Sequence, residues 1–148
     1  MAEGWGALET LGLPAMYPDA LGWERECAER ALAVAGSDEV LVVGKSLASL
    51  LAGLVGERAL PAVWLTPVLT EASVVEALAR VEQPTLLIGG TADPLWKADA
   101  IPANPMIEVV ELAGVDHALQ APGDLDASLD ALRQMTERLR GWLRAYLP

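Results

Sequence analysis

Short, densely apolar runs alternate along this chain with stretches in which apolar residues recur every three or four positions. The runs at 40–43, 62–65, 85–88 and 107–112, with a weaker one at 13–17, predict strands, and their nearly unbroken apolar character suits parallel strands covered on both faces. The helical-period stretches predict helices at 22–34, 47–57 and 71–81, a short one at 97–100 and a long amphipathic one at 125–146. In the last, Leu129, Leu132, Met135, Leu139, Trp142 and Leu143 recur at helical spacing and are expected to form a core-facing stripe. Strands alternating with helices indicate an α/β class, a three-layer sandwich around a mostly parallel sheet of about five to six strands. No repeat, low-complexity segment or linker breaks the pattern, so residues 1–148 read as a single domain.

The run at 40–43 leads straight into Gly44-Lys45-Ser46, which raises two chemistries. A phosphate-binding loop would need a glycine five positions before Gly44 and a curled backbone between. That position is Glu39, followed by four β-branched or aliphatic residues that resist left-handed turns. A strand turning sharply at a serine into a helix fits the nucleophile elbow, usually G-x-S-x-G, with Ala48 in place of the second glycine. Taken alone, the stretch also fits a strand–helix turn with a capping serine.

Composition narrows the classes. Although 53% of the 148 residues are hydrophobic, no apolar run approaches the roughly 20 residues of a membrane helix. The N-terminus is acidic where a secretion signal would be basic, so a soluble, cytoplasmic protein is expected. A net charge of −11 argues against nucleic acid. One cysteine, Cys27, and one histidine, His117, cannot supply an internal disulfide or the common zinc spacings.

In parallel α/β sheets ligand sites gather beyond the C-terminal strand ends. Ser46 follows the second predicted strand, Asp93 the fourth and His117 the fifth. Individually, Asp93 before Pro94 reads equally as a turn residue and His117 as a surface loop residue. Together they supply a nucleophile, a base and an anion to orient the base, in the chain order Ser, Asp, His known for α/β-hydrolases. Asp93 is expected to be the partner of His117 in preference to Asp116 or Asp99, because it ends a buried strand.

The segments VVGKSLASL, PAVWLTPVLT, PTLLIGGTADPLW and VELAGVDHALQ resemble, in order and spacing, a family of small, lidless bacterial α/β-hydrolases with a Gly-Lys-Ser-Leu elbow. The resemblance covers residues 40–119 and the flanking helices in outline. It implies a minimal α/β-hydrolase fold with Ser46 as nucleophile, His117 as general base and Asp93 as orienting acid. It also implies a small ester, thioester or related acyl substrate. The chemistry calls for no metal or organic cofactor.

Leu47, directly after the nucleophile, is expected to give one oxyanion N–H. The second donor in this fold comes from a loop upstream of the segment at 13–17, and the chain is expected to lack that loop and its strand. The loss would bare the edge of the 40–43 strand unless 13–17 pairs there or a homodimer covers it. Two functions therefore stand: a serine hydrolase, or a hydrolase-derived domain of weak or no activity used in binding or assembly. Trp96, Leu95 and Trp64 read equally as acyl-pocket lining and as core. Lys45 is expected to be solvated and outside the catalytic set.

Overall fold

The computed structural model describes residues 20–35 and 40–146, so the segment at 13–17 lies outside the described residues. Four strands form one sheet: β1 (Val42–Lys45), β2 (Ala62–Leu65), β3 (Thr85–Gly90) and β4 (Ile107–Leu112). They lie side by side in chain order and all pairs are parallel. Four is the strand count among the described residues, below the five to six expected. Among the described residues four α-helices accompany them: α1 (Ala20–Ala35), α2 (Ala52–Glu57), α3 (Ala72–Ala79) and α4 (Leu125–Tyr146).

Alternation along the strands builds two cores. Trp64 and Leu87 face one side with Leu51, Leu54, Val74 and Leu78, which belong to the 3-10 segment after β1, α2 and α3. Val63, Leu86 and Ile88 face the other, where Val110, Leu112, Ala131 and Trp142 join them. Adjacent residues thus point to opposite faces, as the pleat requires. The result is helix, sheet and helix in three layers, which is why β2 and β3 are apolar at nearly every position.

Two elements depart from the sequence pattern. β1 starts at Val42 and runs through Lys45, two residues later than the apolar run, because its register is fixed by pairing Val42 with Ala62 and Lys45 with Leu65. The helix expected at 47–57 is split into a 3-10 helix (Ser46–Leu51) and α2. Inside the 3-10 helix, the Ser49 hydroxyl donates to the Ser46 carbonyl (2.7 Å) and accepts the Val68 N–H (3.0 Å). Such a side-chain bond to the backbone competes with α-helical pairing and ties the segment to the loop after β2.

The stripe on α4 is only half core. Trp142 and Ala131 are buried and Met135, Leu139 and Leu143 are partly so, but Leu129 and Leu132 are about half exposed. α4 packs on β3 and β4, while its first turns lie against the loop at 118–124, where Ser128 bonds Ala121 and Leu129 and Leu132 line an open groove. Trp142→Ala should therefore cost about 3–5 kcal/mol, whereas Leu129→Ala should stay within about 0.5 kcal/mol. Urea unfolding of both variants checks this, and equal costs would show that the stripe is uniformly buried in solution.

Candidate active site

Ser46 sits at the tip of the β1 turn with φ of 55°, in the left-handed region that non-glycine residues avoid. The turn has little room. A Cβ on Gly44 would stand 2.5 Å from the Trp64 ring and 3.0 Å from the Ala48 methyl, so glycine is required and only a small residue fits at 48. These contacts are the physical content of the G-x-S-x-A pattern. Strain of this kind persists only where the surroundings fix it, and it collects at functional sites. Of the four described non-glycine residues with positive φ, Ser46, Thr66 and Leu119 all flank this region, Leu119 being two residues past His117.

Asp93 follows β3, where the chain turns so that its main-chain N–H bonds Gly90 O. Its side chain is wholly shut off from solvent. One carboxylate oxygen, Oδ1, accepts the Leu95 N–H at 2.9 Å, and the other, Oδ2, lies 2.8 Å from His117 Nδ1. His117 Nε2 lies 2.7 Å from Ser46 Oγ. A carboxylate can only accept, so Nδ1 of the neutral imidazole carries the proton and Nε2 is left to accept from the serine hydroxyl. Three loops distant in sequence thus converge into one directed hydrogen-bonded chain.

The histidine loop is held by its own short-range bonds and by the sheet. Asp116 Oδ1 accepts the N–H groups of Ala118 and Gln120, so this acidic neighbour caps the loop. Asp99 lies exposed in the 3-10 helix Ala98–Ala100. The Val115 carbonyl passes so close to Gly90 that a Cβ there would stand 2.1 Å from its oxygen, which is how the β3 end and the histidine loop come together.

The remaining sequence candidates take these places. Leu47 contacts the small cluster of Val68 and Leu95 beside the elbow. Leu95 and Trp96 are buried, the latter donating its indole N–H to Glu111 at 2.7 Å and packing into the first core. Trp64 is 1% exposed, so a substrate could touch its ring only after the core opened. Two N–H groups near the elbow are already used, that of Val68 on Ser49 and that of Leu95 on Asp93.

Lys45, expected to be solvated, is exposed at the end of β1 and also makes two contacts beside the histidine loop. Its ammonium donates to the His117 carbonyl at 2.7 Å and to Thr66 Oγ1 at 3.2 Å. Desolvation holds its pKa below the ordinary lysine value, partly opposed by the negative charges of Asp93 and Asp116. A lysine at position x of the elbow gives no signal of this, because the contact depends on how the His117 loop folds back over β1. Among the described residues, no three His, Cys, Asp or Glu side chains gather as a metal site would need, and no helix is long and apolar enough to cross a membrane.

No family model and no curated protein matches the chain. Among solved structures the chain is similar to the esterase domain of a Rhodothermus marinus protein, with a TM-score of 0.59 and 16% identity. That likeness covers 93% of this chain and 71% of the other. At that identity the two share a fold.

Gly44→Ala should lower stability by about 1–3 kcal/mol through overpacking and displace Ser46. Chemical denaturation and the reactivity of Ser46 toward a serine-directed probe would check both. A stable, fully reactive Gly44→Ala protein would show that the turn is looser than described.

Proposed function

We propose that the chain is a serine hydrolase that cleaves a small carboxylic ester, thioester or related acyl substrate through an acyl-enzyme on Ser46. One observation carries the reading: Ser46 Oγ, His117 and the buried Asp93 lie in a single hydrogen-bonded chain with contacts of 2.7 and 2.8 Å. The fold it shares with a protein described as an esterase domain is consistent with this.

In this reading His117 Nε2 takes the Ser46 proton as Oγ forms a bond to the acyl carbonyl carbon, and the carbonyl electron pair moves onto oxygen. The Leu47 N–H stabilises that oxyanion. The pair returns to re-form the carbonyl, the bond to the leaving group breaks, and His117 gives its proton to the departing oxygen or sulfur. Water then attacks the acyl-enzyme by the same route, releasing the acid and restoring the serine hydroxyl. Asp93 holds the Nδ1–H tautomer and stabilises the imidazolium while it exists. In this reading Leu95, buried against Leu47, backs the acyl site. A cytoplasmic setting suits the exposed, unpaired Cys27.

The second reading is a hydrolase-derived domain of weak or no activity that serves in assembly. It is favoured by the edge position of β1 in the described sheet, where Val43 is 57% exposed. We propose that this edge is covered by a second copy of the chain or by residues 13–17. Sedimentation equilibrium should give a dimer for the first cover and a monomer for the second, and a dimer that persists in Val43→Lys would rule out the edge as its interface.

The hydrolase reading predicts that a fluorophosphonate labels Ser46 stoichiometrically and that His117→Ala abolishes the label. Asp93→Asn should slow ester hydrolysis by about 10⁴-fold. Turnover unchanged in Ser46→Ala would overturn the assignment, and a folded wild type that takes no label would favour the assembly reading.

A further inference from the structure

The mechanism above asks His117 Nε2 to stay within reach of Ser46 Oγ, yet His117 sits on a loop rather than on a strand or helix. Asp93 fixes the ring from the far side through Nδ1. The bonds around Asp116 fix the shape of the loop and the Ala92 N–H holds it to the β3 end through the Val115 carbonyl. An anchor on the backbone of His117 itself fixes the height of the ring over the serine.

Resting on the serine-hydrolase reading, we propose that Lys45 is a positioning residue that locks His117 in register with the nucleophile beside it in sequence. The Lys45 ammonium bonds the main-chain carbonyl of His117 at 2.7 Å and Thr66 Oγ1 at 3.2 Å. Lys45 is the last residue of β1 and Ser46 is the next, so one short stretch of chain carries both the attacking oxygen and the tie to its base. Thr66, wholly buried and held at φ of 44°, follows β2 directly, and its N–H bonds Ile88 O on β3. The ammonium therefore links the histidine loop to the ends of the two adjacent strands that frame the site. Neither bond touches a reacting atom, so the role is orientation. A displacement of about 1 Å at a reacting group can cost on the order of a hundredfold in rate.

Lys45 is exposed at the end of β1, with burial lowering its pKa and Asp93 and Asp116 opposing that shift. Its two bonds at this solvent-screened position add little to stability. An apolar side chain of similar length should leave the fold no less stable.

The test compares wild type, Lys45→Met, Lys45→Arg and His117→Ala using p-nitrophenyl acetate, a fluorophosphonate and thermal unfolding. Lys45→Met should lower kcat by roughly 10- to 100-fold, with KM within about twofold and the melting temperature unchanged or higher. Lys45→Arg, which keeps a cationic donor, should recover a large part of kcat. Wild-type kcat in a folded Lys45→Met protein would overturn the positioning role while leaving the hydrolase reading intact. Loss of kcat together with a lower melting temperature and no recovery in Lys45→Arg would assign Lys45 to folding and overturn it as well. Should Lys45→Met fail to fold, Lys45→Gln takes its place under the same criteria. A wild type that neither turns over the ester nor takes the label, or is indistinguishable from His117→Ala, would defeat the hydrolase reading first and this inference with it.

Discussion

The carboxylate of Asp93, its side chain completely removed from water, is the constraint from which the site follows. A buried carboxylate is tolerated only when its oxygens are met by donors. Here the donors are the Leu95 N–H on one oxygen and His117 Nδ1 on the other. Meeting the first bends the chain after β3 into a tight turn, and meeting the second draws the loop after β4 over the sheet end. The close approach of Val115 to Gly90 is the backbone consequence of that draw. Once Nδ1 is committed to Asp93, Nε2 faces Ser46 as an acceptor, so satisfying one buried charge also orients the ring toward the serine.

The elbow supplies the complementary half. β1 must deliver Ser46 at the sheet end, and the Trp64 ring leaves space only for glycine at position 44. Ser49 secures the turn from below by bonding both the Ser46 carbonyl and the Val68 N–H. Strain at Ser46 is thus held by apolar packing on one side and by two hydrogen bonds on the other. No buried side-chain polar atom among the described residues lacks a partner, so the polar demands of the turn are met locally.

Much of this was legible in the sequence because strand and helix periods carry it. β2 and β4 match their apolar runs at both ends, and α4 matches its amphipathic stretch from Leu125 to Tyr146. The bonding of Asp93, Ser46 and His117 could be anticipated from their places beyond strand ends. Features set by tertiary contact were not legible: the shift of β1, fixed by its register with β2, and the 3-10 winding, fixed by Ser49. The exposure of Leu129 and Leu132 is likewise invisible to periodicity, which reports an apolar face and not what covers it. Trp64 was ambiguous in sequence because a tryptophan one residue from a strand end suits a pocket and a core equally; its alternation with Val63 decides for the first core. The exposure of Lys45 is as expected of a strand-end lysine, but nothing in it announces a bond to a carbonyl 72 residues away.

A serine hydrolase of the kind proposed must become acylated on Ser46. Incubation with p-nitrophenyl acetate, rapid acid quenching and peptide mass analysis would measure it directly. The expected result is an acetyl group on the peptide containing Ser46, present in wild type, accumulating in proportion to the burst of nitrophenol and missing from His117→Ala. Nitrophenol released with no acetylated Ser46 under those conditions, or acetyl found only on Lys45 and Lys97, would contradict it.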